Sequence, residues 1–324
     1  MQANRPIPLV ELSNPFSQLS PQRVFVTGAT GFIGSILVHM LLDAGHRVTV
    51  YARHPSRAAA MFDNRVRCLP SLQALCMDDC FDAVINLAGA PVFGMPWTRS
   101  RQRELLDSRI GVTQELVRWV TVAQHKPSTW IQASGIGFYG VRRDDEVFTE
   151  SSTSGGGFMA ELARQWEAAV APLNAYEIRK VVLRIGVVLG PERGLPLLLL
   201  PFRLWLGGRI GSGQQVLSWI HRKDVLAIIA MAMVDRSMHG VYNTVSPGAV
   251  RQSDFAQIVG RLLHRPVWFH VPATPLRWLL GEMVDILIAG QRVQPQRLLK
   301  AGYGFQFAHV EDALRDLTTR PREK

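Results

Sequence analysis

Cysteine is scarce in this chain of 324 residues: there are three, Cys68, Cys76 and Cys80. That number is odd and too small for a disulfide framework, and no signal-peptide pattern opens the sequence, so a reducing cytoplasm is the expected setting. Cys76 and Cys80 lack a second ligand pair at zinc spacing, which argues against a metal site. Lysine is also rare, with five residues (Lys126, Lys180, Lys223, Lys300 and Lys324) among 36 basic side chains. Basic residues outnumber the 26 acidic ones to give a formal charge of +10. The arginines are scattered singly or in pairs, and a dedicated nucleic-acid face would need them clustered along a groove. The expected anionic partner is therefore a phosphate-bearing small molecule, with no nucleic acid involved. Long apolar runs are missing too. The most hydrophobic stretch, Leu195 to Leu206, is interrupted by Pro196, Pro201 and Arg203 and is too short to span a bilayer, so no membrane anchor is expected.

What is present is an alternation of short apolar strands and helices. Val24-Phe25-Val26 reads as a strand, Ile33 to Ala44 as a helix ended by Gly45, and Val48-Thr49-Val50 as a second strand. A weak strand near Val66 to Leu69 and a buried one at Ala83 to Leu87 follow, then a long helix from Thr98 to Val122. Strand Trp130 to Ala133, helix Phe158 to Ala171 and strand Val181 to Arg184 continue the rhythm. This pattern predicts an α/β fold of the Rossmann type, a doubly wound parallel sheet covered on both faces, with a smaller C-terminal α+β domain. The expected division is a loosely ordered extension at 1–22, a dinucleotide-binding domain at 23–188 and 219–245, a substrate domain at 189–218 and 246–318, and a tail at 319–324. Within the second domain the pattern predicts a strand at Val267 to Val271 and a helix at Leu276 to Ala289.

The strongest chemical signal is Thr27-Gly28-Ala29-Thr30-Gly31-Phe32-Ile33-Gly34, which joins the first strand to the first helix. Gly28 permits the tight turn, Gly31 lets backbone approach a pyrophosphate, and Gly34 lets helix and strand pack closely, while the helix N-terminus supplies free N–H groups. The second strand ends Tyr51-Ala52-Arg53-His54-Pro55. An acid in that slot binds the ribose 2′-hydroxyl of NAD, whereas an arginine accommodates the 2′-phosphate of NADP. Arg53, with Arg57 as a second clamp, points to NADP as the cofactor.

At this point the chain resembles the short-chain dehydrogenase/reductase superfamily in its extended, epimerase-like branch. Beyond the glycine loop, the resemblance rests on Asn86-Leu87-Ala88-Gly89, on Ser134 followed by Tyr139-Gly140, on Leu183 to Gly190, on Trp219 to Asp224 and on Tyr242-Asn243. More narrowly, Asp107-Ser108-Arg109-Ile110, Trp166-Glu167, Pro201 to Leu204, Gly211-Ser212-Gly213 and Gly290 to Val293 resemble the atypical "epimerase family protein" group. Some members of that group have been called cell-division inhibitors. The resemblance implies a dinucleotide over Gly28 to Gly34 with Ala52 and Arg53 at the adenosine ribose. It also implies Leu87, Ala88 and Gly89 along the middle, Arg109 pointing back from the long helix, and Val188 near the nicotinamide.

The superfamily's catalytic signature is missing. Members ordinarily use a tyrosine and a lysine four residues later to exchange a proton with substrate. Counted from Ser134, that pair falls on Phe158 and Leu162, which cannot titrate. One Tyr-x-x-x-Lys match exists, Tyr176 to Lys180, but it precedes the sixth strand and belongs to the edge away from the cofactor. Ser134 and Tyr139 remain as the candidate catalytic hydroxyls, with the Tyr139 phenol expected near its ordinary pKa. Arg142 and Arg143 are candidates for attracting an anionic substrate, and His221 with Trp219 is read as tying the two domains together. The sequence therefore predicts an NADP-binding oxidoreductase or epimerase for an unknown small molecule, phosphorylated or nucleotide-linked, acting as monomer or homodimer. The alternative is a non-catalytic NADP-sensing or partner-binding protein.

Overall fold

The computed structural model describes residues 14–92, 95, 97–141, 146–192, 194–272 and 290–319. Five strands alternate with helices through the first half: β1 (Arg23–Thr27), α1 (Gly34–Asp43), β2 (Arg47–Tyr51), α2 (Pro55–Met61), β3 (Arg67–Leu69), β4 (Ala83–Asn86), α3 (Arg99–Leu106), α4 (Val112–Val122) and β5 (Thr129–Gly135). After β6 (Val147–Phe148) and α5 (Phe158–Ala168) come β7 (Arg179–Ile185), β8 (Val187–Leu189), α6 (Gly194–Arg203), β9 (Gly208–Ile210), β10 (Val216–Leu217), β11 (Trp219–His221), α7 (Arg222–Val234) and β12 (Gly240–Thr244). The chain ends with β13 (Val250–Arg251), α8 (Gln252–Leu263), β14 (Phe269–Val271), β15 (Arg292–Val293), α9 (Gln296–Lys300) and α10 (Val310–Thr319).

Seven strands form one parallel sheet in the order β12-β7-β5-β4-β1-β2-β3. Strand β4 and the central part of β5 are buried throughout, which is why their sequences read as continuous apolar runs instead of alternating ones. The chain runs from β1 outward to β3 and then crosses back to place β4 on the other side of β1. That reversal is a topological switch point, and in open α/β sheets ligands bind just beyond the strand ends there. The largest apolar cluster joins α1 and α7 to one face of the sheet through Leu37, Leu41, Ile228 and Ile229. Another cluster places Leu116, Trp119 and Trp130 on the opposite face.

The region that follows β7 builds outward from the sheet. Strand β8 pairs in parallel with β11, β9 with β14 and β15 with β6, while β10 and β13 pair antiparallel. Its own apolar cluster gathers Leu195, Leu199, Phe202, Phe255 and Leu314 around Trp219. The indole of Trp219 donates to Gly248 O at 2.8 Å, and His221 stacks on Phe307 with ring centroids 4.0 Å apart. The strand expected at Val267 to Val271 is present as the shorter β14, while the helix expected at Leu276 to Ala289 falls wholly on 273–289, outside the described residues.

Two local expectations need correction. Prolines around residue 15 suggested a loosely ordered start, yet Pro15–Gln18 form a 3-10 turn capped by Asn14, and Phe16 is fully buried in the core beside α7. Proline suits the first turn of a helix, and the buried phenyl ring anchors it. Residues 1–13 and 320–324 lie outside the described residues. The long helix expected from Thr98 to Val122 is interrupted by one wide π turn, Asp107–Gly111. Such turns commonly accompany functional positions, and this one carries Arg109.

Candidate functional site

The glycine loop is shaped by close approaches that exclude side chains. Gly28 has φ +68°, and a Cβ there would lie 2.5 Å from Leu87 O at the end of β4. A Cβ on Gly31 or Gly34 would come within 2.9 or 2.2 Å of Gly28 O. All three contacts are with backbone, which cannot move aside, so only glycine lets β1, β4 and α1 converge here. Beneath the loop, the Thr27 hydroxyl donates to Asn86 Oδ1 and accepts the N–H of Ala88 at 3.2 Å. Asn86 in turn donates to Thr113 Oγ1 at 2.8 Å and to Gln132 Oε1 at 3.0 Å. This buried polar chain fixes where β1, β4 and β5 end, and nothing in the sequence pattern announced it beyond the polar residues inside apolar strands.

Phe32 leaves the loop toward the region after β8. A Cβ on Gly190 would sit 2.5 Å from its ring, and the Arg222 guanidinium lies 5.0 Å from the ring centre while pairing with Glu192. Leu87, Ile33 and Val188 are partly buried and pack against the same core cluster. At the other end, Ala52 is buried, with its N–H bonded to Leu69 O at 3.1 Å. Arg53 and Arg57 are exposed beside it, and neither has a side-chain hydrogen bond or ion pair to another described residue. Thr30 is exposed at the tip of the glycine loop, next to the buried Ala29.

Arg109 is the unusual charge of the crevice. It is 8% exposed, and its guanidinium donates to Leu105 O at 3.2 Å and Ala90 O at 2.9 Å, lies 5.2 Å from the centre of the Trp166 ring, and faces Gly89. Among the described residues no carboxylate pairs with it. Burial, aided by the nearby positive charge of Arg101, pulls its pKa down to about 10, so it remains a cation at neutral pH. Its guanidinium also reaches Ser108 Oγ at 3.5 Å, and a buried cation held only by carbonyls and a hydroxyl is costly unless an anion completes it.

Beyond β5 the structure assembles a cluster that sequence reasoning recovered only in part. Ser134 Oγ donates to Glu167 Oε1 at 2.7 Å, and Glu167 is gripped by Arg184 through two bonds of 2.8 Å. The Arg184 guanidinium also lies 3.3 Å from the centre of the Phe138 ring and donates to the Tyr139 hydroxyl at 3.0 Å. Arg184 is 4% exposed in a strand of valine, leucine and isoleucine, and an arginine there signals that a partner must exist, without saying which.

Tyr139 departs from its sequence reading. Its side chain is fully buried and stacked on Phe148, and its hydroxyl lies 2.6 Å from Asn243 Oδ1 and 2.9 Å from Thr149 O. Burial raises its pKa above the ordinary phenol value, against the lowering influence of Arg184 and Asn243. With both hydroxyl functions committed, it holds strand ends together and is poorly placed to exchange a proton with a ligand. At the expected tyrosine and lysine positions, Phe158 packs against Trp97 and Leu162 is in the interior. Met159, whose Cβ faces Gly137, is followed four residues later by Ala163, so neither adjoining register of α5 offers a titratable pair. The Tyr176 to Lys180 match lies where expected: Lys180 is paired with Trp130 near the start of β5, whereas Ser134 is paired with Arg184 near its end. Lys180 donates to Asn174 and Val170 O, and Arg142 and Arg143 lie outside the described residues.

The comparisons with known proteins agree with this geometry. The NAD dependent epimerase/dehydratase family pattern matches residues 24–244, and a domain of unknown function matches 271–317. The chain is 37% identical over 304 residues to the Arabidopsis thaliana "Epimerase family protein SDR39U1 homolog, chloroplastic", covering 91% of this chain and 86% of that one. Among solved structures, human epimerase family protein SDR39U1 (isoform 2) with NADPH superposes with a TM-score of 0.82 at 35% identity, covering 91% and 98% of the two chains. A nucleoside-diphosphate sugar epimerase from Corynebacterium glutamicum gives a TM-score of 0.74 at 29% identity, covering 93% of this chain and 59% of that one. Among the described residues, no helix is long and apolar enough to cross a membrane.

Proposed function

Because this chain belongs to the NAD dependent epimerase/dehydratase family, we propose that it binds NADP(H) in the crevice over Gly28 to Gly34 and carries out oxidoreduction or epimerisation on an anionic small molecule. The observation that carries the cofactor choice is the pair of exposed guanidinium groups, Arg53 and Arg57, unpaired among the described residues, in the slot where an NAD-binding protein has an acid. Arg53 meets the 2′-phosphate, Ala52 lies beside the adenosine ribose, the loop N–H groups hold the pyrophosphate, and Arg109 is neutralised by the cofactor's negative charge. Leu87, Ala88, Gly89 and Val188 line the path to the nicotinamide. The human relative's NADPH supports this reading. Bound NADP(H) supplies the hydride chemistry, and this chain's residues orient it and the substrate. Ser134 donates a hydrogen bond to Glu167, which leaves its oxygen lone pairs to accept from a substrate hydroxyl or an amide N–H. Tyr139 supports Arg184 from behind and transfers no proton in this scheme.

Calorimetric titration with NADPH and NADH tests the cofactor assignment. NADPH should bind more tightly, and Arg53→Ala should weaken it about tenfold or more, since charge-assisted contacts contribute roughly 1.5–3 kcal/mol. Equal losses for the two cofactors would remove Arg53 from the phosphate site. A second reading, an NADP-sensing or partner-binding protein without turnover, is favoured by the non-titratable α5 positions. Cofactor oxidation measured across a panel of phosphorylated and nucleotide-linked carbonyl compounds separates the two readings.

A further inference from the structure

The face formed by the end of α6, β9 and β14 lies outside the cofactor crevice and carries an exposed apolar surface. Helix α6 closes with Leu206 N bonded to Pro201 O and Trp205 N bonded to Phe202 O, a helix-ending motif whose next residue is normally glycine in the left-handed region. Trp205 occupies that position with φ +63° and is 52% exposed, between the exposed Leu204 and Leu206. A bulky residue held in this conformation at a surface turn marks a constraint that packing does not explain. The neighbouring chain turns toward it: Trp268, 73% exposed, donates its indole N–H to Trp205 O at 3.2 Å, the Arg265 guanidinium lies 4.3 Å from the centre of the Trp205 ring, and Phe269 is exposed on β14. A groove of about 340 Å³ runs alongside, lined by Arg209, Gln257, Trp268 and His270.

The charge on this face has one sign. Residues 194–223 and 255–272 contain no aspartate or glutamate, while they supply Arg203, Arg209, Arg265, His264 and His270. Of the described acids that adjoin or pair with these stretches, Glu192 is bonded to Arg222, Asp316 to Lys223, Asp224 is buried, Asp254 accepts from Ser253, and Glu311 is paired with Arg261 and Arg315. A second copy of the same face would bring like charges together, so the surface suits a partner that is both anionic and apolar.

We propose that this face docks peripherally on an anionic lipid bilayer, with the Leu204-Trp205-Leu206 turn and Trp268 entering the interface and the arginines meeting lipid phosphates. Tryptophan is enriched at membrane interfaces, and basic residues near an anionic leaflet add attraction that salt screens. The contact is superficial and needs no spanning segment.

Co-sedimentation of the full-length protein with extruded vesicles tests this. Vesicles of phosphatidylcholine with 30% phosphatidylglycerol should bind it at least tenfold more strongly than phosphatidylcholine alone, with the difference shrinking in high salt. Trp205→Gly relieves the backbone strain, so it should leave the fold intact while lowering partitioning about tenfold together with Trp268→Ala. Arg209→Glu with Arg265→Glu should abolish the preference for anionic vesicles. Failure to sediment with anionic vesicles, or normal binding by the tryptophan variants, overturns the proposal. So does a dimer of the wild type, seen without vesicles by sedimentation velocity, that the same variants dissolve. Equal binding to soluble polyglutamate would assign the face to an acidic protein instead.

Discussion

The glycine loop and the cluster beyond β5 lie at the same edge of one sheet but are built in different ways. The loop is defined by backbone: Gly28, Gly31 and Gly34 fit because no side chain can occupy their space. The β5 cluster is defined by side chains, with Ser134, Glu167, Arg184 and Tyr139 drawn from β5, the turn after it, α5 and β7 and held by charge-assisted bonds. The contrast teaches that a cofactor crevice can be specified within eight consecutive residues, whereas the chemistry beside it depends on contacts that fold topology alone brings together.

The comparison breaks most sharply at Glu167. Glu167→Ala should leave Arg184 buried with only the Tyr139 hydroxyl and the aromatic rings for company, and removing one partner of a buried ion pair costs about 3–5 kcal/mol. Urea unfolding should show that loss, with Glu167→Gln retaining part of the stability. If Glu167→Ala is as stable as the wild type, the cluster is a solvated surface arrangement and the side-chain half of the comparison fails. Gly34→Ala attacks the other half. Its Cβ would lie 2.2 Å from Gly28 O, so α1 must shift, at an expected cost of about 1–3 kcal/mol and with NADPH binding lost by calorimetry. Gly156→Ala, where nothing lies within 4 Å, is the control and should change neither.

How far each region could be read from sequence follows from these constructions. The turn at Gly28, the helix start at Gly34 and Arg53 at the end of β2 are local patterns, and the parallel sheet followed from apolar strands spaced by helices. Glu167 lies 33 residues from Ser134, and Asn243 lies 104 residues from Tyr139. Hydrogen bonds across such separations leave no periodicity, so the sequence offered Tyr139 as a candidate catalytic hydroxyl without showing the strand-end contacts that occupy it. The π turn at Asp107–Gly111 was invisible for a related reason: the sequence there continues a good helical pattern, while Arg109 within the turn is held by contacts to Ala90 O and Trp166 that lie far off in sequence.

Arg109 joins the two regions and sharpens the comparison with a smaller effect. Buried with no carboxylate partner among the described residues, it is a cost to the free protein and an asset once an anionic ligand arrives. Arg109→Met should therefore leave the free protein as stable as before, or up to about 1 kcal/mol more stable, while weakening NADPH about tenfold or more. Thermal melts with and without cofactor check this: the shift produced by NADPH should shrink although the baseline melting temperature does not fall. A baseline loss above about 2 kcal/mol would show that the carbonyls of Ala90 and Leu105 and the Ser108 hydroxyl by themselves justify the charge.

The smallest effects are expected at the opposite edge of the sheet, where Tyr176 and Lys180 imitate a catalytic pair. Lys180 sits near the start of β7 and Arg184 near its end, and four residues of strand separate them by about 13 Å. Burial lowers the Lys180 pKa, yet its amine is satisfied by Asn174 and Val170 O, and the Tyr176 ring lies under the Lys126 ammonium at 4.9 Å. These contacts tie the 3-10 turn at Ala171–Ala175 to the sheet, which is a structural task far from the glycine loop. Tyr176→Phe and Lys180→Met should each change stability by about 1 kcal/mol or less and leave NADPH affinity unchanged. If either variant lost cofactor binding or turnover while its melting temperature held, chemistry would have to be placed at the edge where β7 begins. The contrast between a backbone-built loop and a side-chain cluster at one shared edge would then no longer describe how this protein works.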